Sequence, residues 1–287
     1  MTKAIFLGPE GSTFSHLAFS KLSEQYDVVP AHEIMPANSN REVLQLLVSN
    51  GGYASVAIET QAEGRVAEPL EAFIDLLQSF DNDSCPFHII GAIQLRIHFC
   101  LMMNQDVCVE DSRCVLAHQK AFGACDRNLK GLGLPLHEVF SNGEAARLVS
   151  ESPEFKDCMA LGPCIAASKY NLKIVEENLE DGEAVTTFFL MGPKSHVRKI
   201  GLRNRALIVF KLSHEPGALV KALSTLSSEN LNMIQIHSVH KGNHTYDFAV
   251  ELDVDEDDMW NFKKAMFNFK QVVGKCICFG PFEVLSE

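Results

Sequence analysis

The stretch GPEGSTFSH at residues 8–16 has the residue types of an anion-binding turn. It lies between an apolar segment and an amphipathic one. Glycines let a backbone approach a ligand, and the first turn of a helix offers free N–H groups to an anion. The stretch lacks the G-x-G-x-x-G spacing of dinucleotide sites and the Gly-Lys-Ser/Thr ending of a nucleoside-triphosphate loop. A capped turn needs the same residues, so anion binding and helix capping both stay open.

Other polar residues stand next to short apolar segments at four further places. They are ETQAEGRV at residues 59–66, AHQK at 117–120, SNG at 141–143 and the threonine pair at 186–187. Ligands of open α/β sheets bind beyond the carboxyl ends of the strands, so these residues are candidates for one shared site. For each loop taken alone a solvated surface loop is the alternative, and the threonines are also ordinary strand formers.

Strands and helices alternate over the first two-thirds of the chain. The predicted strands are 3–8, 53–59, 88–103 as one long or two short strands, 112–118, 158–162 and 185–192. The predicted helices are 15–25, 41–50, 66–79, 120–131, 143–152 and 163–172. This alternation predicts an α/β fold with a mostly parallel sheet.

The pattern changes after residue 192. Residues 192–205 are basic, contain glycine and proline and lack apolar periodicity, which is typical of a linker. Strands at 206–212, 232–240, 245–253 and 272–280 and helices at 218–230 and 256–270 then follow. Their order is βαββαβ, the ferredoxin-like arrangement. The predicted organisation is a first domain at 1–192, a linker at 193–204 and a second domain at 205–287.

Composition narrows the class of protein. The chain has 287 residues with 25 Lys and Arg against 37 Asp and Glu, a net charge of −12, which argues against nucleic acid or an anionic membrane as a partner. No apolar run approaches the roughly 20 residues of a membrane span, and the N-terminal apolar segment is too short for a signal peptide. Nine cysteines without a C-x-x-C pair predict reduced thiols in a cytoplasmic protein.

Five motifs, in order, resemble those of the prephenate dehydratase family. GPEGSTFSHLA resembles the family's GPxGTFSxxA with one extra residue at Ser12 or Thr13, and VAIETQAEGRV is similar to VPIENSxEGxV. VLAHQKA is similar to VxSHPQA, and TTFFLMG to TRFLxxG. Residues 217–220 match the GALV motif of the family's C-terminal ACT regulatory domain. The resemblance covers essentially the whole chain.

The resemblance implies a fold, a reaction and an assembly. The reaction is the decarboxylating dehydration of prephenate to phenylpyruvate, a step of phenylalanine biosynthesis. The catalytic part would have two lobes of the periplasmic-binding-protein type with the site in the cleft. ACT domains pair side by side, which implies a homodimer or homotetramer. Aromatisation drives the reaction, so neither a cofactor nor a metal ion is expected.

Individual site residues follow from the matched motifs. The implied catalytic residues are Thr186, Glu59 and Thr60, with Thr186 donating a hydrogen bond to the departing hydroxyl. The implied substrate-binding residues are Ser12, Thr13, Ser15, Gln61, Gly64, Arg65, His118, Lys120 and Thr187. The implied regulatory amino-acid site comprises Gly217, Ala218, Leu219, Val220, His237 and Ser238.

Several positions depart from the family pattern. Thr187 stands where the TRF motif has arginine, and this removes a bidentate carboxylate clamp. Arg65 and Lys120 are two new cations at motif positions; either replaces the clamp or is simply solvated. The family's asparagines become Ala184 and Thr60.

One histidine position is shifted. The I-x-H-x-L histidine position of the family holds Phe99, and His98 precedes it. A strand side chain displaced by one residue points to the opposite face, so His98 is a poor substitute.

The regulatory motif is also altered. The family's second effector motif, E-S-R-P, reads His237-Ser238-Val239-His240 and has lost both charged members. Phenylalanine is therefore expected to bind weakly, with the domain serving mainly for dimerisation. The alternative is that backbone groups suffice and inhibition persists. The two histidines would make any response depend on pH near their usual pKa of about 6.5.

Two other functions stay open. A prephenate decarboxylase without aromatisation would keep the pocket and lose hydroxyl activation, which the retained Thr186 opposes. A non-catalytic ligand-binding or regulatory homologue is favoured by the lost arginine and asparagines.

Overall fold

The structure is a computed structural model that describes residues 2–60, 64–65, 67–81, 84–196, 200–201, 204–242 and 245–286. The chain divides into two compact units. The first unit comprises Met1–Val66 and Gln94–Phe188 together with Glu287, and the second comprises Ala67–Ile93 and Phe189–Ser286. No helix in the described ranges is long and apolar enough to cross a membrane. The predicted cytoplasmic location stays a prediction.

The elements are numbered in chain order. Up to residue 104 they are β1 (Lys3–Leu7), α1 (Phe14–Gln25), β2 (Glu33–Ala37), α2 (Asn40–Asn50), β3 (Tyr53–Thr60), β4 (Gly64–Arg65), α3 (Ala67–Ser79), β5 (Phe87–Arg96) and β6 (Phe99–Asn104). Up to residue 193 they are β7 (Val115–Ala117), α4 (Gln119–Ala124), α5 (Asp126–Leu132), β8 (Leu136–Glu138), α6 (Asn142–Glu151), β9 (Met159–Pro163), α7 (Cys164–Lys169), β10 (Leu172–Glu177) and β11 (Val185–Pro193). The rest are β12 (Asn204–Lys211), α8 (Ala218–Ser227), β13 (Asn232–His240), β14 (Tyr246–Asp253), α9 (Met259–Val272) and β15 (Lys275–Ser286).

The first sheet of the first unit is built around β1. Strands β2 and β3 both pair with β1 in parallel, and β4 turns back antiparallel onto β3. Strand β1 lies between β2 and β3, and its Ile5 and Phe6 are buried. Thr13 caps the N-terminus of helix α1, and its side chain accepts a hydrogen bond from the N–H of His16. This arrangement fixes the GPEGST loop at the carboxyl end of β1.

The second sheet of the first unit has the order β10-β6-β9-β7-β8. Strand β7 pairs in parallel with β8 and β9, whereas β6 pairs antiparallel with β9 and β10. The expectation of a mostly parallel sheet is therefore corrected to a mixed sheet. Buried residues of α6 and α7, including Ala146, Val149 and Ala166, pack with strands β6, β7 and β9 in one core cluster.

Four cysteines of this unit lie in two disulfide pairs. Cys100 pairs with Cys164 at a Cα–Cα distance of 5.3 Å, and Cys114 pairs with Cys158 at 4.9 Å. Both distances lie within the range that a disulfide requires. The expectation that all nine cysteines are reduced thiols is corrected at these four positions.

The second unit contains four neighbouring antiparallel strands with two helices. Strands lie in the order β13-β14-β12-β15, and α8 and α9 contribute Ala222, Leu226, Phe262 and Phe269 to the buried core. The chain order β12-α8-β13-β14-α9-β15 is the predicted βαββαβ arrangement. Residues 67–93, which include α3, group with this unit. The domain boundaries at 192 and 205 stay a prediction.

Candidate functional site

Three of the polar loops predicted from the sequence meet in the first unit. The Ser141 hydroxyl donates a 2.6 Å hydrogen bond to the Gly8 carbonyl, and the N–H of His118 donates to Asn142 Oδ1 at 2.9 Å. Residues 8–13, 117–120 and 141–143 are hereafter called the loop cluster. These loops were predicted to lie at strand ends. The two hydrogen bonds join them in the folded chain.

The loop cluster is closely packed. A Cβ added at Gly143 would lie 2.6 Å from Ser12 Oγ, 2.7 Å from Thr13 Cγ2 and 2.9 Å from Pro9 Cδ. Only a residue without a side chain fits between α6 and the loop after β1 at this position. Ser12 is completely buried, and its hydroxyl donates to the Pro9 carbonyl at 3.1 Å.

The hydroxyls expected to bind substrate already have structural hydrogen bonds. Thr13 Oγ1 donates to the Leu7 carbonyl at 2.7 Å and caps α1. Ser12 also shares a side-chain hydrogen bond with Tyr170, whose pKa is raised by burial and lowered by that bond, with a net upward shift. Ser15 is buried in the first turn of α1. These contacts order the loop, and substrate binding by the three side chains stays a prediction.

His16 supports the same loop from α1. Its Nδ1 accepts a 2.8 Å hydrogen bond from the N–H of Gly11, and its ring stacks on Phe6 with centroids 4.5 Å apart. Burial lowers its pKa, Lys169 lowers it further, and Glu10 raises it, with a net downward shift. The neutral ring therefore carries its proton on Nε2 while Nδ1 holds the loop.

His118 precedes α4 as its N-cap residue, at the second loop of the cluster. Its Nδ1 accepts the N–H of Lys120 at 3.2 Å, so the imidazole caps the helix. The side chain of Lys120 is half-buried. The imidazole of His118 therefore has a structural role at the start of the helix. Contacts of His118 and Lys120 with substrate stay predictions.

The threonine pair begins β11 as predicted. Thr186 and Thr187 are both buried, with exposed fractions of 9% and 4%. The sheet order places β11 beside β3, whose last residues are Glu59 and Thr60. Two motif segments are thus carried on neighbouring strands. The catalytic assignment of these residues stays a prediction.

Gly64 and Arg65, the two described residues of the EGRV motif, turn back onto β3. Glu59 pairs with Arg65 and Thr60 pairs with Gly64 through the backbone. Gln61, predicted to bind substrate, lies outside the described residues. The structure gives the backbone pairing of Arg65 and no side-chain position, so its predicted contact is not tested.

A carboxylate that sequence reasoning missed organises the crossing from β5 to β6. Glu180 Oε2 accepts the N–H of Phe99 at 3.0 Å, and Glu180 Oε1 lies 2.8 Å from His98 Nδ1. His98 lies between the two strands, and Phe99 is buried. The neighbouring Asp181 accepts the N–H of Arg127 at the start of α5. Glu180 is 81 residues from Phe99 in sequence, so local sequence patterns gave no sign of this contact.

The predicted regulatory positions fall on α8 and β13. Gly217 precedes α8 with a left-handed φ of 78°, and Val220 is 69% exposed. His237 and Ser238 lie on β13 opposite Ala249 and Phe248 of β14. The structure places these residues and does not test effector binding.

A metal site is not visible in the part of the chain that the structure describes. No three His, Cys, Asp or Glu side chains in those ranges lie close enough together to hold a metal ion.

Comparison with known proteins identifies the family. Residues 4–196 match the family model described as prephenate dehydratase. The chain is 29% identical over 270 residues to the prephenate dehydratase of Methanocaldococcus jannaschii, covering 93% of this chain and 94% of that protein. It is 32% identical over 152 residues to arogenate dehydratase 2 of Petunia hybrida, covering 53% of this chain and only 38% of the plant protein.

A solved structure supports the fold. Prephenate dehydratase from Arthrobacter aurescens, determined in complex with L-Phe, superposes with a TM-score of 0.82 at 22% identity, covering 98% of this chain and 90% of that one. This likeness shows a shared mixed α/β fold with two sheets. The family match spans more than half of the chain and includes the loop cluster and the threonine pair, so the chain belongs to the prephenate dehydratase family.

Proposed function

We propose that this protein converts prephenate to phenylpyruvate in phenylalanine biosynthesis. The observation that carries the proposal is the loop cluster, in which motif loops far apart in sequence are joined by Ser141 to Gly8 and by His118 to Asn142. The threonine pair of β11 and the last residues of β3, Glu59 and Thr60, lie on neighbouring strands within the first unit. We include in the proposal two lobes of the periplasmic-binding-protein type, each built on one of the two sheets.

The chemistry sets demands that these residues can meet. The bond between the ring carbon and its carboxylate breaks, and its electrons form the last ring double bond as the hydroxyl leaves. The hydroxyl takes up a proton and departs as water, so the products are phenylpyruvate, CO2 and water. Thr186 donates a hydrogen bond to the departing oxygen, which stabilises charge that develops only in the transition state. Glu59 and Thr60 at the end of β3 belong to the same catalytic group.

A single assay separates this reaction from its rivals. Purified protein is incubated with prephenate, and phenylpyruvate is measured by its absorbance in alkali. Formation of phenylpyruvate with stoichiometric CO2 is expected. Release of CO2 without an aromatic product would mean decarboxylation alone, and binding without turnover would mean a non-catalytic homologue. A parallel reaction with arogenate, followed by phenylalanine formation, tests the activity named for the plant relatives.

We further propose that the β12–β15 part of the second unit is an ACT-type regulatory domain that pairs with a second copy. The support is its βαββαβ order and the edge strand β13, on which Ile234 and Ile236 are 38% and 44% exposed. An edge strand with exposed apolar residues is a template for pairing. Light scattering is expected to give a dimer or tetramer.

Binding of phenylalanine depends on the altered second effector motif, His237-Ser238-Val239-His240. Calorimetry with phenylalanine at pH 7.5 is expected to show weak binding, because the positions of the family's charged pair hold His237 and Val239. A buried ammonium or carboxylate without a partner is strongly disfavoured. A dissociation constant in the low micromolar range would overturn the weak-binding claim.

A further inference from the structure

A lysine outside the matched motifs lies against the loop cluster. Lys169 ends α7, and its Cδ, Cε and Nζ lie 3.4, 3.6 and 3.7 Å from the position that a Cβ on Gly11 would take. Gly11 has a left-handed φ of 72°. The lysine stem and its ammonium therefore lie beside the backbone of the loop at Gly11.

The ammonium of Lys169 is available to a ligand. The side chain is exposed, and within the described ranges it makes no hydrogen bond or ion pair. Glu10, the exposed carboxylate of the same loop, interacts with His16 and forms no ion pair with Lys169 among the described residues. Two other lysines of this unit are already engaged: Lys130 with Asp126, and Lys173 with backbone carbonyls of residues 105 and 107.

Lys169, the carboxylate of Glu10 and the start of α1 set the local charge around His16. His16, with its Nδ1 occupied by Gly11, is neutral in the folded protein near pH 7, because burial and Lys169 lower its pKa more than Glu10 raises it. Helix α1 begins at Phe14, three residues after Gly11, and has no acidic residue in its first turn. The partial positive charge at the start of α1 therefore adds to the charge of Lys169.

We propose that Lys169 binds a carboxylate of the substrate, in place of the arginine missing at Thr187. The inference rests on the proposed dehydratase reaction. Thr187 is buried and uncharged, so it cannot compensate a carboxylate. Prephenate is a dianion, and its carboxylates need a charged partner when they leave water.

Lys169 binds the carboxylate that stays in the product. A cation on the departing carboxylate would stabilise the ground state, and its effect would weaken as the charge leaves that group. Interactions that raise the rate must instead be stronger in the transition state. A contact with the retained side-chain carboxylate is equal in both states, so it acts on KM and leaves kcat nearly unchanged.

Steady-state kinetics of Lys169→Met with prephenate test the contact. KM is expected to rise about 10-fold or more, with kcat within about threefold of the unmodified protein, because a hydrogen bond to a charged group is lost. The difference in KM is expected to shrink at high salt, where the charge is screened. Lys169→Arg retains the charge and is expected to recover most of the affinity.

The matched control is Lys156→Met, which removes an exposed lysine elsewhere in the same unit and is expected to keep the original KM. Lys169→Gln is a second variant should the methionine variant fold poorly, and circular dichroism checks both. An unchanged KM and salt dependence in folded Lys169→Met or Lys169→Gln would overturn the proposal. A lower melting temperature with equal losses in the arginine variant would show a structural contact and also overturn it. Lack of turnover by the unmodified protein would instead refute the proposed function.

Discussion

At the scale of single residues, Thr186 is the proposed hydrogen-bond donor in the chemical step. It lies at the start of β11 with 9% of its surface exposed, so a hydrogen bond it makes to substrate would be shielded from water. Thr186→Ala is expected to lower kcat by about 10²-fold, since one transition-state donor is lost. Thr186→Ser keeps the hydroxyl and is the control. Equal kcat values for the alanine variant and the unmodified protein would remove Thr186 from the mechanism.

The two disulfide pairs, Cys100–Cys164 and Cys114–Cys158, can be tested by counting reactive thiols. Their separations of 64 and 44 positions give a local sequence reading no sign of pairing, so only the fold brings them together. Protein purified without reductant and then denatured is expected to show five reactive thiols, and nine after reduction. Peptide mapping of the alkylated protein identifies the pairs. Nine thiols without reductant would restore the expectation of reduced cysteines.

At the scale of elements, apolar periodicity predicted the buried strands and the long helices. Strand β13 was predicted with its observed bounds, and residues 88–103 form the two short strands that were one of the alternatives. Strands β2 and β8 escaped prediction because most of their residues are exposed and show no apolar alternation. The predicted helix 120–131 is two helices that meet at Cys125. Such breaks depend on tertiary contacts, here those of Asp181 with α5.

The loop cluster depends on close contact between α6 and the loop after β1. Gly143→Ala would bring a Cβ within 2.9 Å of three side-chain atoms and force the loops apart. We expect a loss of about 1–3 kcal/mol in unfolding free energy and a lower kcat/KM for prephenate, because overpacking displaces Ser12 and Thr13.

Gly131→Ala is the control for that change. Gly131 is in α5 with nothing within 4 Å of its Cβ position. Alanine there is expected to be neutral or stabilising by up to about 1 kcal/mol, since glycine weakens helices. Thermal melts and kinetics of both variants give the comparison. If both variants behave alike, packing at Gly143 does not order the loop cluster.

At the scale of the whole molecule, the chain is acidic and its proposed substrate is a dianion. The net charge of −12 repels prephenate at long range, so binding depends on a few cations near the loops. Motif matching pointed to Arg65 and Lys120, and their contacts stay predictions. It passed over Lys169, because nothing local at the end of α7 shows that the chain returns to Gly11. The loops of the loop cluster were thus predictable from sequence, whereas the position of Lys169 beside them required the tertiary structure.

The pH dependence of stability is a further property of the whole molecule. Asp247 on β14 is 5% exposed, and burial raises its pKa against the opposing pull of Lys211 and Lys241, while Asp75 adds to the rise. Its side chain lies 3.7 Å from Lys211 Nζ across the β12–β14 pair. A raised folded pKa means that the folded protein binds this proton more tightly than the unfolded chain does. Proton binding by Asp247 therefore makes its full contribution to the unfolding free energy below the unfolded pKa of 3.8. This contribution is lost as the pH rises through the folded pKa.

Asp247→Asn removes a charge that is costly in the folded state at neutral pH. The variant is expected to melt at a higher temperature than the unmodified protein at pH 7.5, and this advantage should shrink as the pH falls to 4 and below. Asp253→Asn, on the same strand with a half-exposed side chain, is the control and is expected to change the melting temperature little. Melts of the three proteins across this pH range decide the matter. A less stable asparagine variant at pH 7.5 would mean that the contact with Lys211 outweighs the cost of burying the Asp247 carboxylate.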